Sequence, residues 1–158
     1  MKSITYEQLD DLSRKALDEA EKVLENAYNP YSHFYVGAAL FTEDGTIITG
    51  TNFENSSYGL TICAERAAVL RANAMGIRKF KGIAIIARGK DFDTTEVTAP
   101  CGSCRQVLYE LSCISGNDLM VILSTTKKDK IIVTTISELL PLAFGPVDVG
   151  VDISEYQK

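Results

Sequence analysis

The pattern that most restricts the fold is Cys101-Gly102-Ser103-Cys104, a Cys-x-x-Cys pair that directly follows Pro100 and opens a run with helical spacing. At a helix start, that spacing is either half of a metal site or a dithiol redox pair. A third cysteine, Cys63, lies far upstream in Thr61-Ile62-Cys63-Ala64-Glu65-Arg66, two residues before a glutamate. If the three sulfurs act together, the fold must bring two distant stretches to one point. A redox pair leaves Glu65 without a purpose, whereas a catalytic zinc ion uses three protein ligands and a nearby proton carrier.

The rest of the chain supplies the frame. Leu9, Leu12, Ala16, Ala20, Val23, Leu24 and Ala27 recur at three- and four-residue steps, which predicts an amphipathic helix over 5–27 capped by Thr5 and Gln8. Asn29-Pro30-Tyr31-Ser32 ends it, because the proline ring forbids a helical hydrogen bond. Residues 35–41 and 47–51 read as a hairpin around Glu43-Asp44-Gly45, and 52–60 as a polar loop. An alanine-rich helix spans 63–75, and the apolar run 82–87 reads as a strand covered on both faces. Then come a helix over 101–111, strands over 119–124 and 131–134, and a short helix from Ser137. This order predicts an α/β fold, with helices packed over a single sheet. Residues 1–145 form the expected catalytic domain and 146–158 a C-terminal tail. In the tail, Val147, Val149, Val151 and Ile153 alternate with other residues as an edge strand would.

Charge narrows the partners. A net charge of -5 repels phosphate polymers, and the one cluster of basic residues, Lys127, Lys128 and Lys130, reads as a turn, so no nucleic-acid partner is expected. No apolar run approaches the ~20 residues that cross a bilayer, so no membrane partner is expected either. The N-terminus lacks an apolar signal core, so the expected location is the cytoplasm, where four cysteines point to metal or catalysis before disulfides.

Cys63, Cys101 and Cys104 fit the three-ligand catalytic pattern, with one zinc ion per subunit. Cys113, nine residues past Cys104, faces away on a continuing helix and reads as a small buried residue. His33, the only histidine, lies in a loop and is left out of the ligand set. Three thiolates and a divalent zinc ion leave one net negative charge, which would weaken the metal as a Lewis acid. Arg66 and Arg105 each follow a ligand and are expected to donate hydrogen bonds to the sulfurs.

Cys63-Ala64-Glu65 with Pro100-Cys101-Gly102-Ser103-Cys104 resembles the zinc deaminase signature. The likeness continues through Tyr31-Ser32-His33-Phe34, Val36-Gly37-Ala38-Ala39-Leu40, Asn52-Phe53-Glu54-Asn55 and Tyr58-Gly59-Leu60. Together these motifs resemble the cytidine deaminases, specifically the small homotetrameric class with three cysteine ligands. The resemblance implies a three-layer α/β/α fold with a mixed, about five-stranded sheet. It also implies hydrolytic deamination of cytidine and 2'-deoxycytidine in pyrimidine salvage, with Glu65 as the proton shuttle. Asn52 and Glu54 match the pair that binds the ribose 3'-hydroxyl, and Phe34 matches the aromatic wall of the pyrimidine pocket. Backbone groups of Ala64 and Cys101 match those that hold the base edge. Tyr58 and Phe144 match aromatics that serve a neighbouring subunit's site, so the implied assembly is a homotetramer with shared active sites.

Two features depart from the family: Tyr35 stands where proline is common, and the tail runs longer. Deamination of a cytosine-bearing antibiotic such as blasticidin S is the nearest alternative, and the Asn52 and Glu54 pair argues against it. A non-catalytic zinc-stabilised binding protein is the alternative from another class, and Glu65 argues against that.

Overall fold

The computed structural model describes residues 1–157; Lys158, the last residue of the expected tail, lies outside them. The strands are β1 (Lys2–Ile4), β2 (Phe34–Phe41), β3 (Ile47–Thr51), β4 (Gly82–Gly89), β5 (Met120–Ser124) and β6 (Ile131–Thr135). They form one mixed sheet in the order β1-β6-β5-β4-β2-β3. Strands β4 and β5 run parallel and the other neighbours antiparallel. The sheet thus has six strands where about five are expected. The addition is β1, whose Lys2, Ser3 and Ile4 pair with Val133, Ile132 and Ile131. Three residues are too few to display a period of two, so only pairing with β6 defines this strand.

The helices are α1 (Asp11–Leu24), α2 (Ala64–Ala74), α3 (Gly102–Ser115) and α4 (Ile136–Leu139). Side chains alternate across the sheet and sort into two cores. Ala39, Phe41, Ala84 and Ile86 pack with Ala16, Leu17, Ala20 and Leu24 of α1. Ala38, Leu40, Ile83 and Ile85 pack with Ala64, Ala68 and Ala72 of α2 and with Leu108 and Leu111 of α3. Because both faces are covered, β4 is apolar over residues 82–87. Two glycines let the helices lie close: a Cβ on Gly37 would stand 1.9 Å from the Ala20 carbonyl oxygen, and one on Gly50 would stand 2.4 Å from the Ala68 nitrogen. Tyr35 lies under the Arg88 guanidinium at 4.2 Å, and Arg88 pairs with Glu25 just past α1.

The helix expected over 5–27 is shorter at both ends, Asp11–Leu24. Gln8 does accept from the Thr5 N–H at 2.9 Å, but this closes a separate 3-10 turn over Tyr6–Gln8. The chain then extends at Leu9, which enters the α1-side core, and α1 begins at Asp11, with the Asp10 carboxylate accepting from the Ser13 N–H at 2.7 Å. Asp10→Ala should cost about 0.5–1 kcal/mol at pH 7, measured by urea unfolding. The backbone N–H of Ser13 holds the folded Asp10 pKa below its ordinary value. The cap therefore contributes fully above the unfolded carboxylate pKa of about 4 and loses its contribution as pH falls through the lower folded value.

The tail forms 3-10 turns at Pro146–Val149 and Ser154–Tyr156, and the expected strand over 147–153 is absent among the described residues. Pro146 opens the first turn, Gly150 closes it at φ 67°, and Val151 donates back to the Pro146 carbonyl at 3.0 Å. Gln157 then ties the tail to α3 by donating to the Cys113 carbonyl at 3.0 Å.

Topology alone places the functional end of the molecule. Strands β3 and β4 are both antiparallel to β2, so they point the same way, and α2 and α3 follow them. Both helices consequently begin at one end of the sheet, where β2 starts at Phe34 opposite Gly89. The crevice beyond strand C-termini is where open α/β sheets bind ligands.

Candidate active site

Cys63 and Cys101 are the residues that cap the N-termini of α2 and α3, and Cys104 lies in the first turn of α3. Their sulfurs converge. Cys63 and Cys101 Sγ are 4.0 Å apart, Cys101 and Cys104 Sγ 3.6 Å, and all three lie within 4.8 Å of one another. Tetrahedral zinc with bonds of about 2.3 Å to sulfur needs sulfurs about 3.8 Å apart, so this donor set fits that ion. The positive ends of two helices also favour thiolates here.

Hydrogen bonding from the Cys104 thiol, helped by the Arg66 guanidinium and the Cys101 thiol, holds the Cys63 thiol down to about 5 against the effect of its burial. The same contact with Cys63, followed by burial and the Glu65 charge, pushes the Cys104 thiol up. Uptake of a cation by this cluster must then expel the remaining thiol protons.

Glu65, in the first turn of α2, is 5% exposed. Burial pushes its carboxyl above the ordinary range, and the negative charge at Cys63 adds to the shift. A carboxyl tuned upward next to a metal-ligating cluster is suited to taking and returning a proton near neutral pH.

Arg66 donates to Cys63 Sγ at 3.6 Å and to the Thr61 carbonyl at 3.0 Å. Arg105 does not. It donates to the Pro100 carbonyl at 2.8 Å and the Leu139 carbonyl at 2.9 Å, and among the described hydrogen bonds it makes none to a sulfur. Two carbonyls within reach, one just ahead of Cys101 and one at the end of α4, satisfy its planar fork, so it fixes the ligand loop through the backbone. Cys113 and His33 stand outside the sulfur cluster. Cys113 is half-buried where full burial is expected, and His33 is exposed with φ 55°.

The loop ahead of Cys63 is pinched shut. Phe53 and Ile62 exchange backbone hydrogen bonds at 2.9 and 3.0 Å, which brings Asn52 and Glu54 to the base of α2. Both side chains are buried and turned toward the segment that leads into Phe34. Asn52 accepts from the Val36 N–H and donates to the Phe34 carbonyl, each at 2.9 Å. Glu54 accepts from the Tyr31 N–H at 2.9 Å, from the Ser32 N–H at 3.2 Å and from the Ser32 hydroxyl. Despite burial, which would raise it, these hydrogen bonds hold the Glu54 carboxyl below its ordinary value. Ser32 Oγ in turn accepts from the Phe34 N–H at 3.1 Å. Sequence reasoning gives Ser32 no role, although a serine two residues after a proline in a turn is a signal for such local bonding.

Phe34 is half-buried at the head of β2, and Ala64 is fully buried at the head of α2. Tyr58 and Phe144 stand 73% and 62% exposed. Tyr58 meets Tyr31 edge to face at 5.4 Å, while the Phe144 carbonyl accepts from Gln106 Nε2 at 2.8 Å. An open cavity of about 370 Å³ is lined by Tyr31, Ser32, Glu54, Tyr58 and Thr61.

Residues 10–116 match the family model for the cytidine and deoxycytidylate deaminase zinc-binding region. The cytidine deaminase of Sporosarcina psychrophila is 46% identical over 136 residues, covering 86% of this chain and 93% of that one. The cytidine deaminase of Halalkalibacterium halodurans is 47% identical over 134 residues, covering 85% and 95%. Among solved structures, the cytidine deaminase of Burkholderia pseudomallei superposes with a TM-score of 0.73 at 44% identity, covering 82% of this chain and 97% of that one. The matched region includes Cys63, Glu65, Cys101 and Cys104.

Proposed function

The chain belongs to the cytidine and deoxycytidylate deaminase family, and from that premise we propose how its own residues deaminate cytidine and 2'-deoxycytidine to uridine and 2'-deoxyuridine plus ammonia. The observation that carries the proposal is a buried carboxylate, Glu65, in the first turn of the helix that Cys63 caps, Cys63 being one of three sulfurs in a cluster suited to zinc. Cys63, Cys101 and Cys104 would hold a zinc ion, which would supply the Lewis acidity that makes water nucleophilic at neutral pH. Glu65 takes a proton from the attacking water and hands it to the ring N3 as the hydroxyl adds to C4; it then carries the proton of that new C4 hydroxyl to the amine, so that the C4–N bond breaks, ammonia leaves and the C4 carbonyl forms. Arg66, close to Cys63 Sγ, offsets the negative charge of the three thiolates. A protein that only bound zinc for stability would have no use for Glu65.

Residual hydrogen-bonding capacity supports the sugar assignment. A carboxylate offers about four acceptor sites, and Glu54 has three filled; Asn52 keeps one free N–H. One free acceptor beside one free donor suits a single hydroxyl that both donates and accepts, as the ribose 3'-hydroxyl does. Phe34 is assigned to the wall of the base pocket, and the backbone groups at the starts of α2 and α3, at Ala64 and Cys101, to the base edge, an assignment supported by the free N–H groups that a helix start offers.

The exposed Tyr58, Leu142 and Phe144 support a homotetramer in which neighbouring subunits complete each site. Free ligand thiols suit a reducing compartment, which supports the cytoplasm. No helix among the described residues is long and apolar enough to cross a membrane.

The test is to load purified protein with zinc, add nucleoside, and follow loss of the amino chromophore together with ammonia release. Cytidine and 2'-deoxycytidine should both turn over, and free cytosine and blasticidin S should be far poorer. A zinc-loaded protein inert toward both nucleosides would overturn the activity, and a dissociated monomer with full activity would overturn the shared sites.

A further inference from the structure

Ser32 occupies a position between the two halves of the nucleoside site. Its hydroxyl donates to Glu54 Oε1 and accepts from the Phe34 N–H at 3.1 Å. One oxygen therefore joins the carboxylate assigned to the sugar and the backbone of the aromatic assigned to the base. The surrounding turn leaves little slack. His33 sits at φ 55°, a left-handed conformation uncommon among non-glycine residues, and its N–H donates to the Asn29 carbonyl at 3.0 Å. The Phe34 carbonyl is fixed by Asn52 Nδ2 at 2.9 Å. Ser32 itself is exposed, and the cavity beside it is lined by Ser32 and Glu54.

We propose that Ser32 is a positioning residue for the sugar: its hydroxyl aims the Glu54 carboxylate so that the remaining acceptor site meets the ribose 3'-hydroxyl. The inference rests on the assignment of Asn52 and Glu54 to that hydroxyl. The bond from Ser32 is charge-assisted because Glu54 is held ionised by its partners. Without it, Glu54 keeps the Tyr31 and Ser32 N–H groups on one oxygen and is free to rotate the other. The turn keeps those two backbone hydrogen bonds, so loss of the hydroxyl should disturb aim more than fold.

The test compares cytidine with 3'-deoxycytidine, which lacks the hydroxyl in question, in the wild type, Ser32→Ala and Ser32→Thr. The wild type should favour cytidine. Ser32→Ala should lose about tenfold or more in kcat/KM on cytidine, mainly through KM, and change little on 3'-deoxycytidine. Ser32→Thr, which keeps a hydroxyl, should restore most of the loss, and the Tm of all three proteins should agree to within a few degrees. Equal use of both substrates by the wild type would overturn the sugar assignment and the inference with it. A discriminating wild type, with Ser32→Ala losing both substrates alike or neither, would overturn the inference alone.

Discussion

Glu65→Gln should retain zinc and the fold while turnover of cytidine falls by about 10²- to 10⁴-fold, the range expected for removing a positioned general acid-base group. The amide keeps the volume of the side chain, which matters because Glu65 is only 5% exposed and packs at the start of α2. It also removes a carboxyl whose charge burial disfavours, so stability should hold or rise slightly. Metal analysis, a thermal melt and the ammonia assay on one preparation separate these effects. Full activity in a zinc-loaded variant would exclude Glu65 as the proton carrier, whereas loss of zinc would assign it to holding the metal.

Cys104→Ser should abolish stable zinc binding and with it measurable activity. Of the three clustered cysteines, Cys104 is the one completely buried, and it meets Cys101 Sγ at 3.6 Å. A hydroxyl at that point lacks the soft, ionisable donor that zinc prefers. Losing a supporting partner of a ligand costs about 10- to 100-fold in affinity or activity, and losing the ligand itself should exceed that. Zinc content by mass spectrometry after dialysis is the direct measurement. A variant that still holds one zinc per chain would show that another residue completes the site. In the wild type, zinc uptake should release protons, since a ligating thiol must ionise and the contact with Cys63, followed by burial, pushes the Cys104 thiol up.

Much of this was legible along the chain because the governing physics is local. The α1 stripe, the doubly buried β4 run and the helix starts at Cys63 and Cys101 all follow from spacing, propensity and capping. The failures share a cause as well. Strand β1 exists only through β6, and the tail's alternation was overridden by Pro146 and Gly150. Arg105 was given to the sulfurs by proximity in sequence, but two carbonyls lie within reach of its guanidinium once α4 packs beside α3. Ser32 has no role along the chain because its carboxylate partner, Glu54, meets it only when the loop over 52–62 folds back.

By itself, the sequence determined the donor chemistry and the elements that carry it: three thiols, a carboxyl two residues past the first of them, and two helix starts to hold them. Identity and spacing are enough for that, since a thiol is a soft donor that can ligate zinc wherever the fold brings enough of them together, and capping acts over a few residues. Tertiary structure decided the rest. It made β3 and β4 point the same way, so that both helix starts reach one end of the sheet and the sulfurs come within 4.8 Å of one another. It also buried Glu65 enough to raise its affinity for a proton and committed Glu54 to the turn before Phe34. Burial and convergence depend on residues distant along the chain, so neither can be read from any one stretch of it.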